Sequence, residues 1–222
     1  MTAEAFFKNW GEVIDFSELS KCLKRFNDSI WYSQYVSPSQ ENVFRAFAEC
    51  NFNDLKVVML GEDPYPQPGI ATGLAFGNKE NTPIDKWSPS LKVLYNAAIS
   101  SSPDLPQDNM IFPTLEAWAR QGVLLLNSAL TVKNNEVGSH LLIWRNFIIK
   151  FLINLSSKRN DVVYLCLGST AKEYIKNIQS DNIVICNHPA WYARENKPMP
   201  DIFTVVNEKL VNKLNKTAIT WV

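Results

Sequence analysis

The chain has no net charge to offer a polyanion: 22 Lys and Arg stand against 22 Asp and Glu in 222 residues. That balance argues against a nonspecific nucleic-acid binder held on by bulk charge, and leaves room only for a local groove along a backbone. Cysteine is scarce and poorly placed for chemistry. Cys22, Cys50, Cys166 and Cys186 form no C-x-x-C pair, which speaks against a disulfide framework, a zinc site or an iron–sulfur site. Cys166 and Cys186 lie in apolar runs, where a free thiol behaves as a small hydrophobe. No apolar run is long enough to cross a bilayer, and there is no internal repeat or low-complexity linker. The opening MTAEAFFKNWGEVIDF carries acids early and lacks the apolar stretch of a secretion signal. These absences together lead us to expect a reduced, soluble, cytoplasmic protein that does not enter a membrane; separately, we expect a monomer.

What is present is core-forming material. At 46 % hydrophobic and 20 % charged residues, the chain suits one compact domain over residues 1–222, with a helical segment over about the first fifty packed on it. Phe16, Leu19, Leu23 and Phe26 make one apolar stripe at helical spacing. Ser37 followed by Pro38 reads as an N-cap and first helical position ahead of Val43, Phe44 and Phe47. Four short runs then stand out: Leu55–Leu60, Val123–Leu126, Val162–Leu167 and Ile183–Cys186. Each is too uniformly apolar for a sheet with one wet face and matches a parallel strand buried on both sides. Helical patterns at Ser90–Ser100, Thr114–Gln121, Ser139–Leu155 and Ser169–Ile178 separate them, and Asp201–Leu214 follows. The alternation predicts an α/β fold, a three-layer α/β/α sandwich with a central, mostly parallel four-stranded sheet.

The polar residues gather where these runs end. The first hands over to Gly61-Glu62-Asp63-Pro64-Tyr65-Pro66, the second to Asn127-Ser128, the third to Gly168-Ser169 and the fourth to Asn187-His188-Pro189. Ligands of open parallel sheets bind outside the carboxyl ends of the strands, so Asp63, Asn127, Ser169 and His188 share a crevice if the strands are neighbours. Each residue alone has a plainer reading: Asp63 and Asn127 as turn residues, Ser169 as a helix cap, His188 as a structural residue before proline. Four polar strand ends in succession favour the shared crevice, and one of only two histidines lies at such an end. The other, His140, stands at a helix start and reads as structural.

Several of these segments resemble the family 1 uracil-DNA glycosylases. Gly61-Glu62-Asp63-Pro64-Tyr65, extended by Pro68 to Phe76, is similar to that family's water-activating motif. The run from Glu116 to Asn127, followed by Ala129-Leu130-Thr131-Val132, is similar to its uracil-recognition segment. Ser88-Pro89-Ser90-Leu91 resembles its proline-rich loop, Gly168-Ser169 its Gly-Ser loop, and His188-Pro189 the start of its minor-groove loop. The order and spacing agree from about Val36 to the final helix. The resemblance implies hydrolysis of the bond between uracil and deoxyribose after the base is flipped out of the stack, with no cofactor or metal. It implies Asp63 and His188 as catalytic residues, and Glu62, Tyr65, Phe76 and Asn127 around the base. Contacts to DNA are implied for Ser88, Pro89, Ser90, Gly168, Ser169, Ala190, Trp191, Tyr192 and Arg194. Partners implied are uracil-containing DNA, single- or double-stranded, and a proteinaceous DNA-mimic inhibitor.

Three positions depart from the family pattern. Glu62 stands where the family has Gln, and a second carboxylate beside Asp63 is expected either to oppose ionisation there or to point to solvent. Pro66 replaces a usual His, as in the poxvirus branch. The family's His-Pro-Ser-Pro-Leu-Ser is here His188-Pro189-Ala190-Trp191-Tyr192-Ala193. By position, Tyr192 replaces the Leu that fills the gap left by the flipped base, with Trp191 beside it. Stacking by these aromatics is expected to favour single-stranded or loosely paired DNA. Two other readings remain at this point: a noncatalytic DNA-binding or replication-accessory protein on the same fold, favoured only by the departures, and a glycosylase for another modified pyrimidine.

Overall fold

The computed structural model describes residues 6–26, 35–102 and 112–222. The helical reading of the first fifty residues also covered 1–5 and 27–34, which lie outside the described residues. Along the chain come helix α1 (Phe16–Arg25), strand β1 (Val36–Ser37), helix α2 (Arg45–Glu49), strand β2 (Val57–Gly61), helix α3 (Pro89–Ser100), helix α4 (Glu116–Arg120), strand β3 (Val123–Asn127) and strand β4 (Val132–Lys133). Then follow helix α5 (Leu141–Lys158), strand β5 (Val163–Leu167), helix α6 (Ser169–Tyr174), strand β6 (Ile183–Cys186), helix α7 (Pro189–Glu195) and helix α8 (Ile202–Glu208). The last helical pattern divides in two, because α8 gives way to a π-helical turn at Lys209–Lys213.

The four predicted runs form one sheet in the order β3-β2-β5-β6, with every neighbouring pair parallel. All five residues of β2, β3 and β5 are buried. Side chains alternate between faces along a strand, so burial without a break means that both faces are covered. The edge strand β6 breaks the pattern, with Ile185 half exposed. This is the α/β sandwich with a parallel four-stranded sheet that the alternation of runs implied.

The stripe on α1 faces inward: Leu19 and Phe26 are buried, and Phe16 and Leu23 pack against the core. Asp15 caps the helix by accepting the Glu18 N–H at 2.9 Å. The N-terminal segment meets the core through aromatic edges, with the Trp10 ring 5.3 Å from Phe47 and 5.9 Å from Phe151 of α5. The Trp10 indole N–H donates to the Cys50 carbonyl at 2.9 Å.

Ser37 and Pro38 do not start a helix. Ser37 belongs to β1, paired antiparallel with Val132 of β4, and its hydroxyl donates to the Asn134 side chain at 2.8 Å. Helical backbone begins only at Gln40, as a single 3-10 turn ahead of α2. A Ser-Pro pair fits a strand edge as well as a helix start, since proline needs only a position where no N–H is required. The partner strand 95 residues further on decides between them, and local spacing does not show it.

Candidate active site

The sheet sets the site by register. Gly61, the last residue of β2, lies opposite Asn127, the last of β3, and Leu167 of β5 lies opposite Cys186 of β6. The ladder then runs on past the strands. Ser128 N–H and its hydroxyl both donate to the Gly61 carbonyl, at 3.1 and 2.7 Å, and Ala129 N–H donates to the Glu62 carbonyl at 2.9 Å. On the other side Gly168 N–H donates to the Cys186 carbonyl at 2.9 Å. Four polar turns are thereby held level at one end of the sheet, around a crevice of about 730 Å³. Every residue that the sequence pointed to lines this crevice except Tyr192.

Asp63 sits on the turn after β2. One carboxylate oxygen accepts the Gly138 N–H at 2.5 Å, from the loop between β4 and α5. Burial pushes its pKa up to about 6, with the Gly138 hydrogen bond pulling against burial and the Glu62 charge adding to it. The result is a carboxylate with little water around it, ionised at neutral pH and basic for its type.

Beside it stand the three groups of the expected base pocket. Asn127 is buried, at 9 % exposure, with its side chain in the crevice. Phe76 is buried too and has a positive φ of 67°, a conformation that a bulky L-residue adopts only under tertiary compulsion. Tyr65 supplies part of that compulsion, since its hydroxyl donates to the Phe76 carbonyl at 2.8 Å. The Tyr65 oxygen also lies 2.5 Å from the Ser88 hydroxyl. Ser88 in turn accepts the Leu91 N–H at 3.2 Å as the N-cap of α3. With Tyr65 donating to Phe76, Ser88 donates to Tyr65, and the phenol ring is fixed as one rigid wall. The Ser88 hydroxyl is thus occupied within the protein. Ser90 is buried at 5 % exposure.

Gly61 explains why the pocket closes so tightly. A Cβ built there meets the Asn127 side-chain oxygen at 2.6 Å and the Phe76 ring at 3.0 Å. The first distance is shorter than packed atoms tolerate and the second is tight, so Gly61→Ala must displace the Asn127 amide and press on the Phe76 ring. We expect Gly61→Ala to keep the fold, with an unchanged far-ultraviolet circular dichroism spectrum, and to slow turnover about 10- to 100-fold, since displacing a pocket group by about 1 Å costs up to that much. Steady-state kinetics on the substrate that the resemblance implies, a uracil-containing oligonucleotide, check this.

His188 follows β6 as the N-cap of α7. Its Nδ1 accepts the Ala190 N–H at 3.2 Å. A ring nitrogen that accepts carries no proton, so the neutral ring carries it on Nε2, free to donate. Burial lowers the His188 pKa, the Glu62 charge pulls it back up, and Arg194 lowers it further. Gly168 makes room for the ring: it has φ +106°, and a Cβ there would lie 3.2 Å from the His188 Cβ. The His188 and Phe76 rings stand 5.6 Å apart.

The segment after His188 is the helix α7, and it places Tyr192 off the crevice. Successive residues on a helix point about 100° apart, so Trp191 and Tyr192 cannot both face the crevice. Tyr192 is buried at 7 % exposure, with its hydroxyl 3.1 Å from the Cys186 sulfur. Trp191 lines the crevice with Ala190 and Arg194. Its ring is braced edge-on by Tyr192 at 4.9 Å and carries the Lys197 ammonium 5.3 Å above it.

A family model described as the Uracil DNA glycosylase superfamily matches residues 47–211, from α2 through the π-helical turn. The chain belongs to the uracil-DNA glycosylase superfamily. A uracil-DNA glycosylase of Mesomycoplasma hyopneumoniae (strain 7448) is 32 % identical over 225 residues, covering 100 % of this chain and 97 % of that protein. Among solved structures, mimivirus uracil-DNA glycosylase superposes with a TM-score of 0.71 at 23 % identity, covering 99 % of this chain and 91 % of that one. A variant of mimivirus UNG in complex with UGI gives 0.76 at 25 % identity, covering 100 % and 88 %.

Within this member of the superfamily the structure adds residues that the sequence did not point to. Gly138 holds Asp63 through its backbone alone, and Val137 beside it lines the crevice while two-thirds exposed. No side-chain motif announces a contact made by a peptide N–H. Asn78 also lines the crevice, at 2 % exposure, and its amide oxygen has no partner among the described residues. His140 keeps its structural reading. Trp144 donates to the Thr131 hydroxyl at 2.7 Å, and that hydroxyl lies 2.9 Å from His140 Nδ1, away from the crevice. Among the described residues no group of three or more His, Cys, Asp or Glu is placed to hold a metal ion, and no helix is long and apolar enough to cross a membrane.

Proposed function

We propose that this protein is a DNA repair glycosylase that hydrolyses the bond between uracil and deoxyribose, releasing free uracil and leaving an abasic site. The observation that carries the reading is the meeting of Asp63, Tyr65, Phe76, Asn127 and His188 in one crevice at the carboxyl ends of the sheet, in a member of the uracil-DNA glycosylase superfamily. A noncatalytic protein on this fold has no need of a desolvated carboxylate and a neutral imidazole aimed into one pocket. We read residues 1–222 as one unit, supported by the aromatic packing of Trp10 on Phe47 and Phe151.

The roles follow from the chemistry of each group. The flipped base slides along Phe76, with Tyr65 as the wall at C5 that leaves no space for the thymine methyl. The Asn127 amide accepts from uracil N3–H and donates to O4, a pattern that cytosine does not present. As the bond lengthens, the sugar becomes cationic and the base anionic. The Asp63 carboxylate stabilises the sugar cation and takes the proton of the attacking water. His188 donates from Nε2 to uracil O2, where negative charge grows, and does so as a neutral ring because burial keeps it unprotonated. Pro89 and the main chain around Ser88, Ser90, Gly168 and Ser169 follow the DNA backbone, a mode that suits a chain without net charge.

Trp191, not Tyr192, is the residue we assign to the gap left by the flipped base, with Arg194 beside it facing phosphate. Its indole is partly exposed on the crevice and braced by the Tyr192 ring and Lys197, whereas Tyr192 is buried. We expect Trp191→Ala to weaken affinity for a uracil-containing single strand about 10-fold, within the 1–3 kcal/mol of one base–aromatic contact. Fluorescence anisotropy, with U·A and U·G duplexes alongside, checks this. For partners, the solved mimivirus complexes with UGI support the expectation of a proteinaceous inhibitor that imitates DNA.

The reading is tested by incubating the protein with oligonucleotides carrying a single U, T or C and cleaving abasic sites with alkali. Strand scission at U alone is expected. No scission at U, or equal scission at T, would overturn it.

A further inference from the structure

Glu62 has no part in the chemistry described above, yet its charge acts on both groups that do. It immediately precedes Asp63 and lines the crevice with His188. Its carboxylate is not loose in solvent: one oxygen accepts the Thr170 hydroxyl at 3.0 Å, on α6, directly after the Gly168-Ser169 turn. Its carbonyl is held by Ala129 N–H at 2.9 Å. A negative charge is therefore fixed at the point where the Asp63 turn, the Gly-Ser turn and the His188 helix converge.

We propose that Glu62 is a positioning residue that ties the Asp63 turn to α6 through Thr170 and sets the acid edge of activity through its charge. The proposal rests on the uracil hydrolysis argued above. The working pair is an ionised Asp63 with a neutral His188. A fixed negative charge acts on both in the same sense, opposing ionisation of Asp63 and favouring protonation of His188. Both effects remove the working pair as the pH falls, so Glu62 holds the acid edge higher than the pocket alone would set it. Tyr174 of α6 also feels this charge, Arg145 of α5 lies over the Tyr174 ring at 5.3 Å, and Arg194 of α7 opposes Glu62 at His188. Lys86 also lines the crevice.

The two functions separate by substitution. Glu62→Gln keeps an oxygen for Thr170 and removes the charge, whereas Glu62→Ala removes both. The measurement is kcat/KM for uracil release from a single-stranded oligonucleotide between pH 5 and 9, for the parent and both variants. We expect the acid edge to move to lower pH by about half a unit or more in both variants, a modest value for one nearby charge at an effective dielectric constant of about 20. Glu62→Ala is also expected to lose several-fold in rate, and Glu62→Gln to recover that loss without restoring the acid edge. Profiles of Glu62→Gln and parent that superimpose would overturn the proposal while leaving uracil hydrolysis intact. Absence of uracil release by the parent at every pH would refute the underlying reading and this inference with it.

Discussion

Replacing Asp63 by Asn is expected to slow uracil release by about 10²–10⁴-fold, the range for removing a positioned general base. The amide keeps the shape and can still meet a donor, but it neither stabilises the sugar cation nor takes a proton from water. Affinity for uracil-containing DNA should survive, because in our reading Asn127, Tyr65 and Phe76, not Asp63, hold the base. The same substitution should stabilise the fold. Burial raises the Asp63 pKa from 3.8 to about 6, so between these values the folded state binds more protons than the unfolded one. Stability contributed at this site therefore falls as pH rises through that window. At pH 8 the full cost of the buried charge is present, and Asp63→Asn should gain about 1–3 kcal/mol; at pH 3.5 the gain should vanish. Thermal unfolding at the two pH values, with single-turnover rates, checks both halves.

The second large effect belongs to His188. Its removal as Ala should slow release by about 10²–10³-fold, the cost of losing one preorganised donor at a developing anion. His188 is also the N-cap of α7, so Ala additionally loses a cap worth about 1 kcal/mol. His188→Asn distinguishes the two losses. Asn caps a helix well but is too short to hold a donor where Nε2 lies. We therefore expect His188→Asn to regain the thermal stability that Ala loses and to remain as slow as Ala. Recovery of the rate in Asn would mean that His188 acts only by shaping the helix that carries Trp191.

Much of this was legible in the residues. A strand covered on both faces needs unbroken apolar sequence, so Val57–Gly61, Val123–Asn127 and Val163–Leu167 announce themselves. The hydrogen-bonded ladder then leaves the next polar residues level at one end, which is why four strand ends sufficed to gather Asp63, Asn127, Ser169 and His188. What stayed hidden depends on partners distant in the chain or on backbone atoms. Ser37 pairs with a strand far along the sequence. Gly138 acts through its N–H, and Asn78 is singled out only by the missing partner of its oxygen. Tyr192 lies off the crevice, which the sequence did not show because position within a motif says nothing of helical phase. Once Pro189–Glu195 is a helix, a shift of one residue turns a side chain from the crevice to the core.

The departures from the family pattern also separate. In our reading Trp191 alters the grip on DNA, and Glu62 bears on when the pocket works. Asp63, Tyr65, Phe76, Asn127 and His188 are all present in the crevice, which is why the superfamily's chemistry is retained in our reading despite both.

The most direct test is to quantify free uracil by chromatography after single turnover on a uracil-containing oligonucleotide in excess chelator, with parent protein and Asp63→Asn side by side. One uracil per abasic site from the parent, and release at least 100-fold slower from Asp63→Asn, is the expected result. No free uracil from the parent, or equal release by both proteins, would contradict the account.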